Sequence, residues 1–327
     1  MKKISIIIPM YNVAEYLEKC LGSVFNQGLG EHDFEIVLVD DESPDNSLVV
    51  AKKLTAKKNN VKIISQENKG LGGARNTGIL NSTGDYLLFL DADDRLLPYV
   101  LGELLDTAQQ HDLDMLEFGA QGISSDNKIL YEIKNTSEVL SSGFEYYNTI
   151  RYMHSACNKL YRRNFLLENS ILFLEKIFIE DFEFNTRCLA SAKKLKATDL
   201  VVSQFLQSLN SITRNNDETK KQKMVADIIF VIKRTDNLYR NKITNSTERF
   251  FYLERLNFLV ATLFYQLVKR KATYTEMNAL KKQLEGENLF YVNHKIFDGR
   301  KNIFRILLLQ NLWTFKIYNF LTKNNAN

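Results

Sequence analysis

Apolar and polar positions change their period along this chain. Residues 4–8 form a nearly continuous β-branched run, the pattern of a strand covered on both faces. Tyr16, Leu17, Cys20, Leu21, Val24 and Phe25 then recur at helical spacing, and Gly28-Leu29-Gly30 closes that helix. Apolar runs at 34–39, 61–64, 86–90 and 115–118 predict further strands. Between them, Asp45, Asn46 and Ser47 offer caps for a helix carrying Leu48, Val49 and Leu54. Gly70-Leu71-Gly72-Gly73 leads into a short helix with Ala74, Arg75 and Ile79, and 97–109 reads as helical. Strand and helix by turns predict the α/β class, with a mostly parallel Rossmann-like sheet flanked by helices. In such sheets ligands bind beyond the carboxyl ends of the strands.

Residues from about 130 to 212 read as mixed structure completing the same domain. From Asn215 the pattern turns to long helices. Tyr252, Leu253, Leu256, Phe258, Leu259, Leu263, Phe264 and Leu267 make a stripe too broad to leave in water. Residues 303–321 mix Trp313, Phe315, Ile317 and Phe320 with Arg305 and Lys316, followed by Lys323, and resemble a basic amphipathic surface helix. The expected organisation is one domain over 1–212 and a helical basic region over 213–327.

Composition narrows the classes. Of 327 residues, 45% are apolar and 25% charged, which excludes a disordered chain. No run of 18 uncharged apolar residues occurs, so no membrane-spanning helix is predicted. Lys2-Lys3 before an apolar run resembles a secretory signal, but the run is short and Pro9 ends it, so a buried first strand is expected. Cys20, Cys157 and Cys188 are odd in number and widely spaced, which fits a reducing cytoplasm better than a disulfide framework or a metal site. From Ile212 onward 21 Lys and Arg stand against 10 Asp and Glu, a net +11; the residues before carry 22 against 29, a net −7. An acidic front and a basic rear point to different partners.

The acids sit at strand ends. Asp91 and Asp93 follow the run 86–90 and would repel each other if left bare. Oxygen ligands of this kind suit Mg²⁺ or Mn²⁺, with a diphosphate completing the shell. The plain alternative is that Asp93 and Asp94 cap the next helix. Asp40 and Asp41 can accept from a ribose or a base N–H, or simply belong to a turn. Gly70, Gly72 and Gly73 permit close backbone approach to a ligand, with Arg75 a candidate for base or phosphate, or else a structural ion pair. Glu180 and Asp181 lie among apolar residues, where one member can hold a raised pKa suited to a general base, unless they merely begin a surface helix. His32, His111, His154 and His294 show no metal spacing.

Together these segments resemble the family 2 glycosyltransferases, which have the GT-A fold of nucleotide-diphospho-sugar transferases. Ser5 through Asn12 is similar to the family's opening strand and its Pro-x-Tyr-Asn turn. Val39-Asp40-Asp41-Glu42-Ser43-Pro44-Asp45-Asn46-Ser47 resembles V-D-D-G-S-T-D-N-S. Asn68-Lys69-Gly70 through Gly78 resembles the N-x-G…A-R-N-x-G stretch, and Asp91-Ala92-Asp93 the D-x-D metal motif. Asn158-Lys159-Leu160-Tyr161 and Glu180-Asp181-Phe182 resemble the N-K-L-Y and E-D elements. The likeness covers roughly 1–210. Glu42 stands where glycine is usual, which implies a differently shaped loop.

The resemblance implies an inverting transfer from a UDP-sugar to an acceptor hydroxyl, of hexosyltransferase type, in cell-surface polysaccharide or glycolipid synthesis. It places the donor at Pro9, Tyr11, Asn12, Asp40, Asp41, Arg75, Asp91 and Ala92, a divalent cation (Mn or Mg) at Asp93 and Asp91, and the catalytic base at Asp181. Acceptor-side candidates are Glu180, Lys159 and His154. The acceptor would be a saccharide or a lipid-linked saccharide. The rear segment is open between contact with an anionic membrane surface, which would make the protein peripheral on the inner face of the cell membrane, and a packed helical subdomain or homodimer contact. A sugar nucleotidyltransferase is the rival enzyme, but no glycine follows the first strand until Gly22. An inactive nucleotide-sugar-binding protein is opposed by intact Asp91, Asp93 and Asp181, and nucleic acid by the acid-lined front.

Overall fold

The structure is a computed structural model that describes residues 3–150, 154–207, 218–311, 313–314 and 316–317. The chain divides into two compact units, Met1–Arg214 and Asn215–Asn327. The boundary expected at Ile212 lies outside the described residues, as do Phe315, Phe320 and Lys323.

The first unit opens with β1 (Ile4–Met10), α1 (Leu17–Phe25), β2 (Phe34–Asp40), α2 (Ser47–Thr55), β3 (Val61–Ser65), α3 (Gly70–Asn81) and β4 (Tyr86–Phe89). There follow β5 (Arg95–Leu96), α4 (Leu101–Gln110), β6 (Met115–Ile123), β7 (Ile129–Ile133) and α5 (Gly143–Thr149). It closes with β8 (Lys159–Arg162), α6 (Arg163–Glu168), α7 (Glu180–Ser191) and β9 (Leu195–Leu206). The sheet order is β3-β2-β1-β4-β8-β6-β9-β5, with β7 on β6.

The leading strands β3, β2, β1 and β4 are parallel, as the alternation of elements requires. Beyond them the sheet is mixed. Strand β8 runs antiparallel to both β4 and β6, and Leu88 lies opposite Leu160. Strand β6 is parallel to β9 but antiparallel to β7. Because β8 descends beside β4, the residues just before it, Ala156 and Cys157, belong to the carboxyl rim of β4.

One face of the sheet presents Ile4, Ile6, Ile8, Ile36, Leu38 and Leu88 to the apolar stripes of α1 and α4. Each such side chain is worth about 1.5–3 kcal/mol over an exposed one. Two predicted boundaries move. Strand β1 runs through Pro9 to Met10; its pairing with β4 ends at Ile7, so the absent N–H costs no bond on that side. The helix expected over 97–109 starts only at Leu101, because Pro98 follows Leu97 and Tyr99 takes φ 60°.

The second unit contains α8 (Glu218–Lys242), α9 (Ser246–Lys269), α10 (Tyr274–Gly286) and α11 (Gly299–Phe304), which continues as a π-helical turn over Arg305–Leu309. Helix α9 buries Tyr252, Leu256, Leu259, Leu263, Phe264 and Leu267, and also Glu254 and Arg255, so it is covered nearly all round. Asn245 caps it by accepting from the Glu248 N–H at 3.0 Å. A Thr273/Glu276 capping box opens α10. The continuous helix expected from 303 is broken. The turn after Leu309 interrupts it where Arg305 folds inward and donates to the Val292 carbonyl. Among the described residues, no helix is long and apolar enough to cross a membrane.

Candidate active site

Parallel register brings the polar strand ends together. Met10 lies opposite Asp40, and Ile7 opposite Phe89, two residues short of Asp91. The loops after β1 and β2 are laced to each other. The Ala14 N–H donates to Asp45 Oδ2 at 3.0 Å, the Val13 N–H to Ser47 Oγ at 2.9 Å, and the Asp41 N–H to the Met10 carbonyl at 3.0 Å. Asp41 is buried, and its Oδ1 accepts from Gln66 Nε2 at 2.7 Å and the Lys69 N–H at 2.8 Å. Asp40 is buried with Oδ1 lacking a hydrogen-bond partner. A carboxylate oxygen left so is costly unless a ligand donates to it.

Glu42 adopts φ 62°, the left-handed backbone that glycine would supply. The loop thus keeps a glycine-like path at a cost of about 1–2 kcal/mol, and Glu42 Oε2 accepts from the Asn68 N–H at 3.2 Å.

Asp91 to Asp94 is a tight turn closed by the Asp94 N–H on the Asp91 carbonyl at 2.9 Å. Asp94 does not cap a helix; its Oδ1 accepts from the Leu206 N–H at 2.8 Å and pins β9 to the rim. Asp93 is exposed on one side yet crowded by the cleft behind it. Burial, then Asp91, push its carboxyl up to about 6. Burial and both neighbouring acids push Asp94 well above the carboxylate range.

Arg75 joins this rim to α7. Its guanidinium is 1% exposed. Nη2 donates to Asp91 Oδ1 at 2.9 Å, and Nη1 donates to Asp181 Oδ1 at 2.6 Å and Glu180 Oε1 at 3.1 Å. Phe173 lies under it at 5.2 Å and is itself stacked on Phe184 at 3.7 Å. The other Asp181 oxygen accepts from the Ala156 N–H at 2.9 Å. Both terminal nitrogens of Arg75 therefore serve protein carboxylates, which gives it an organising role. The three acids hold the guanidinium strongly protonated against its burial. Glu180 is pushed up to about 7, first by burial and then by Asp181, with Arg75 opposing.

The glycines of α3, which permit close approach of backbone to a ligand, here admit the chain itself. A Cβ on Gly72 would stand 2.3 Å from the Leu174 carbonyl oxygen. Asn76, to which no role had been given, clamps the same segment. Its Nδ2 donates to the Phe173 carbonyl at 2.9 Å, and its Oδ1 accepts from the Phe173 N–H at 2.7 Å. The segment then reaches Ile179, a β-branched residue at φ 59° that aims Glu180 and Asp181 at Arg75.

The remaining candidates differ in their placement. Lys159 is fully buried; its Nζ donates to the Ser155 carbonyl at 2.8 Å and Asn158 Oδ1 at 2.7 Å, and Glu117 Oε2 is 3.6 Å away. That ammonium is enclosed, which corrects its expected place on the acceptor side. The His154 ring lies 4.9 Å from Phe182, and its carbonyl accepts from Asn185. Pro9 is inside the buried β1, Tyr11 is exposed beyond it, and Asn12 turns at φ 57°. Ala92 is buried in the Asp91 turn.

A divalent cation fits the rim by charge, since Asp91 and Asp93 crowd each other there and a cation would relieve that repulsion. Among the described residues no group of three or more His, Cys, Asp or Glu side chains is placed to hold a metal ion alone. Asp91 and Asp93 would be joined by oxygens of the donor and of water.

The profile of the family described as glycosyl transferase family 2 matches residues 5–169. The chain belongs to glycosyl transferase family 2. The uncharacterized glycosyltransferase EpsJ of Bacillus subtilis is 32% identical over 222 residues, 64% of this chain and 62% of EpsJ. The aligned part thus spans less than two thirds of that relative. Among solved structures, S. aureus TarS 1–349 in complex with UDP-GlcNAc aligns with a TM-score of 0.57 at 21% identity, over 82% of this chain and 88% of that one. The mannosyltransferase PcManGT from Pyrobaculum calidifontis, in complex with GDP-Man and Mn²⁺, aligns with a TM-score of 0.54 at 14% identity, over 95% of this chain and 87% of that one. These likenesses give this family 2 chain the GT-A fold: a mixed α/β sheet flanked by helices, followed by a helical region.

Proposed function

We propose that this glycosyltransferase moves a hexosyl group from a UDP-sugar to a hydroxyl of a saccharide or lipid-linked saccharide, with inversion, in cell-surface polysaccharide or glycolipid synthesis. The observation that carries it is the Arg75 fork, which holds Asp91, just beyond β4, and Asp181, on α7, to one guanidinium. Acids from segments far apart in sequence thereby meet on one guanidinium.

Asp40 and Asp41 would receive the ribose and base, and Asp91 and Asp93 would hold Mn²⁺ or Mg²⁺. A cation bound there neutralises charge on the leaving diphosphate, so no protonating acid is required. Asp181 would take the proton of the attacking hydroxyl. Arg75 and the Ala156 N–H fix its two oxygens in direction and leave lone pairs for the acceptor. Of the two α7 acids that meet Arg75 it is the more open, 23% exposed against 12% for Glu180. Glu180 would sit behind it and set the charge of the cluster.

Turnover of a panel of UDP-sugars with Mn²⁺ tests the assignment. Asp181→Asn is expected to lower kcat about 10²–10⁴-fold at unchanged UDP affinity. Asp93→Asn is expected to abolish metal-dependent turnover in a folded protein. Loss of UDP affinity in Asp181→Asn would make that residue a binding group instead.

A further inference from the structure

The end of the second unit exposes apolar side chains that the fold does not use. Helix α11 has no buried residue, and in the π-helical turn after it only Arg305 and Leu309 are buried. Ile303, Ile306 and Leu307, at spacings of three and four, are 59%, 41% and 60% exposed. Beyond the turn, Trp313 is 62% and Ile317 49% exposed, again four residues apart. Tyr265 at the end of α9 is exposed too, and the Phe304 ring meets it edge-on at 5.7 Å.

Basic groups border these side chains. Lys269 Nζ lies 5.1 Å from the Tyr265 ring, and Lys316 Nζ lies 5.9 Å from the Tyr274 ring at the start of α10. Arg300 and Lys271 are exposed nearby in sequence, and over 299–317 the described residues include no Asp or Glu. Large apolar side chains with one tryptophan, edged by cations, with Asp298 the nearest acid in sequence, match the interfacial layer of an anionic bilayer. A second copy of this chain would bring the same cations against themselves, which disfavours it as the occupant.

We propose that this face of the C-terminal unit docks on an anionic phospholipid bilayer, with Ile303, Leu307 and Trp313 entering the headgroup layer and Lys269, Arg300 and Lys316 meeting the lipid phosphates. The surface holds the protein at the membrane.

Trp313 is the only tryptophan in the chain, so its emission reports this face alone. The full chain is titrated with vesicles of phosphatidylcholine and with vesicles containing phosphatidylglycerol, and co-sedimentation is followed in parallel. The expected result is a blue shift and pelleting with the anionic vesicles only, reversed by high salt. Ile303→Glu with Leu307→Glu is expected to abolish both. Arg300→Glu with Lys316→Glu is expected to weaken binding about tenfold or more. Unchanged melting temperatures would show that these variants fold. Unchanged emission, equal binding to neutral vesicles, or variants that bind as the parent does would overturn the proposal. So would a blue shift that grows with protein concentration in the absence of vesicles, which would seat a second copy there. The assay needs neither donor nor acceptor, so its failure and the failure of the transfer reading are distinguishable.

Discussion

Arg75 compensates three carboxylates in a place where water cannot. Arg75→Met would leave Asp91, Glu180 and Asp181 crowded without a counter-charge. The expected loss is about 3–5 kcal/mol of stability by urea unfolding, together with activity. Glu180 offers a second test at this scale. Its carboxyl is raised from 4.5 to about 7, first by burial and then by Asp181, so the folded chain holds that proton more tightly than the unfolded chain. The stabilisation is complete below about pH 4.5 and is lost as pH rises through about 7. Glu180→Gln is therefore expected to melt with a flatter pH dependence than the parent between about pH 5 and 8. The acids themselves were legible: Asp40, Asp41, Asp91 and Asp93 each come just after an apolar strand run, and Glu180 and Asp181 stand between apolar segments. Their common partner was not: Arg75 and Glu180 stand 105 residues apart, and nothing local distinguishes an arginine that meets a ligand from one that meets carboxylates.

Helix α3 works as a platform for the chain that leads into α7. Gly72 lets the Leu174 carbonyl approach, Asn76 pins Phe173, and the Lys176 N–H donates to the Lys69 carbonyl at 3.1 Å. Gly72→Ala is expected to cost about 1–3 kcal/mol as the segment shifts. It should lower turnover as well, because Glu180 and Asp181 move with the segment. Urea midpoints and steady-state rates on one preparation would check both effects. A glycine-rich run before a helix reads the same whether a ligand or the chain itself fills the space, so this use was hidden in the sequence. Strands β1 to β4 were readable from their continuous apolar runs. Strand β9 was not, since Lys196, Thr198, Asp199, Ser203 and Gln204 interrupt its pattern, and its place in the sheet depends on distant β6 and β5.

For the molecule as a whole, the acidic first unit should gain stability from the ligands it is proposed to bind. Mn²⁺ with UDP is expected to raise the melting temperature, by about 2.7 kcal/mol of added stability at a hundredfold excess over Kd. Asp93→Asn should lose that gain; an unshifted melting curve for the parent would count against the donor site. The long helices of the second unit were evident from the stripe on α9. The break after Leu309 was not, because apolar spacing alone does not reveal a buried Arg305 bonded to Val292.

The Arg75 fork also governs how mutations here should be read. One cation shared among Asp91, Glu180 and Asp181 can tighten on two acids when the third is removed, so a single deletion understates what that acid contributes. Effects at these positions should therefore fail to sum, and double-mutant cycles rather than lone substitutions would apportion them.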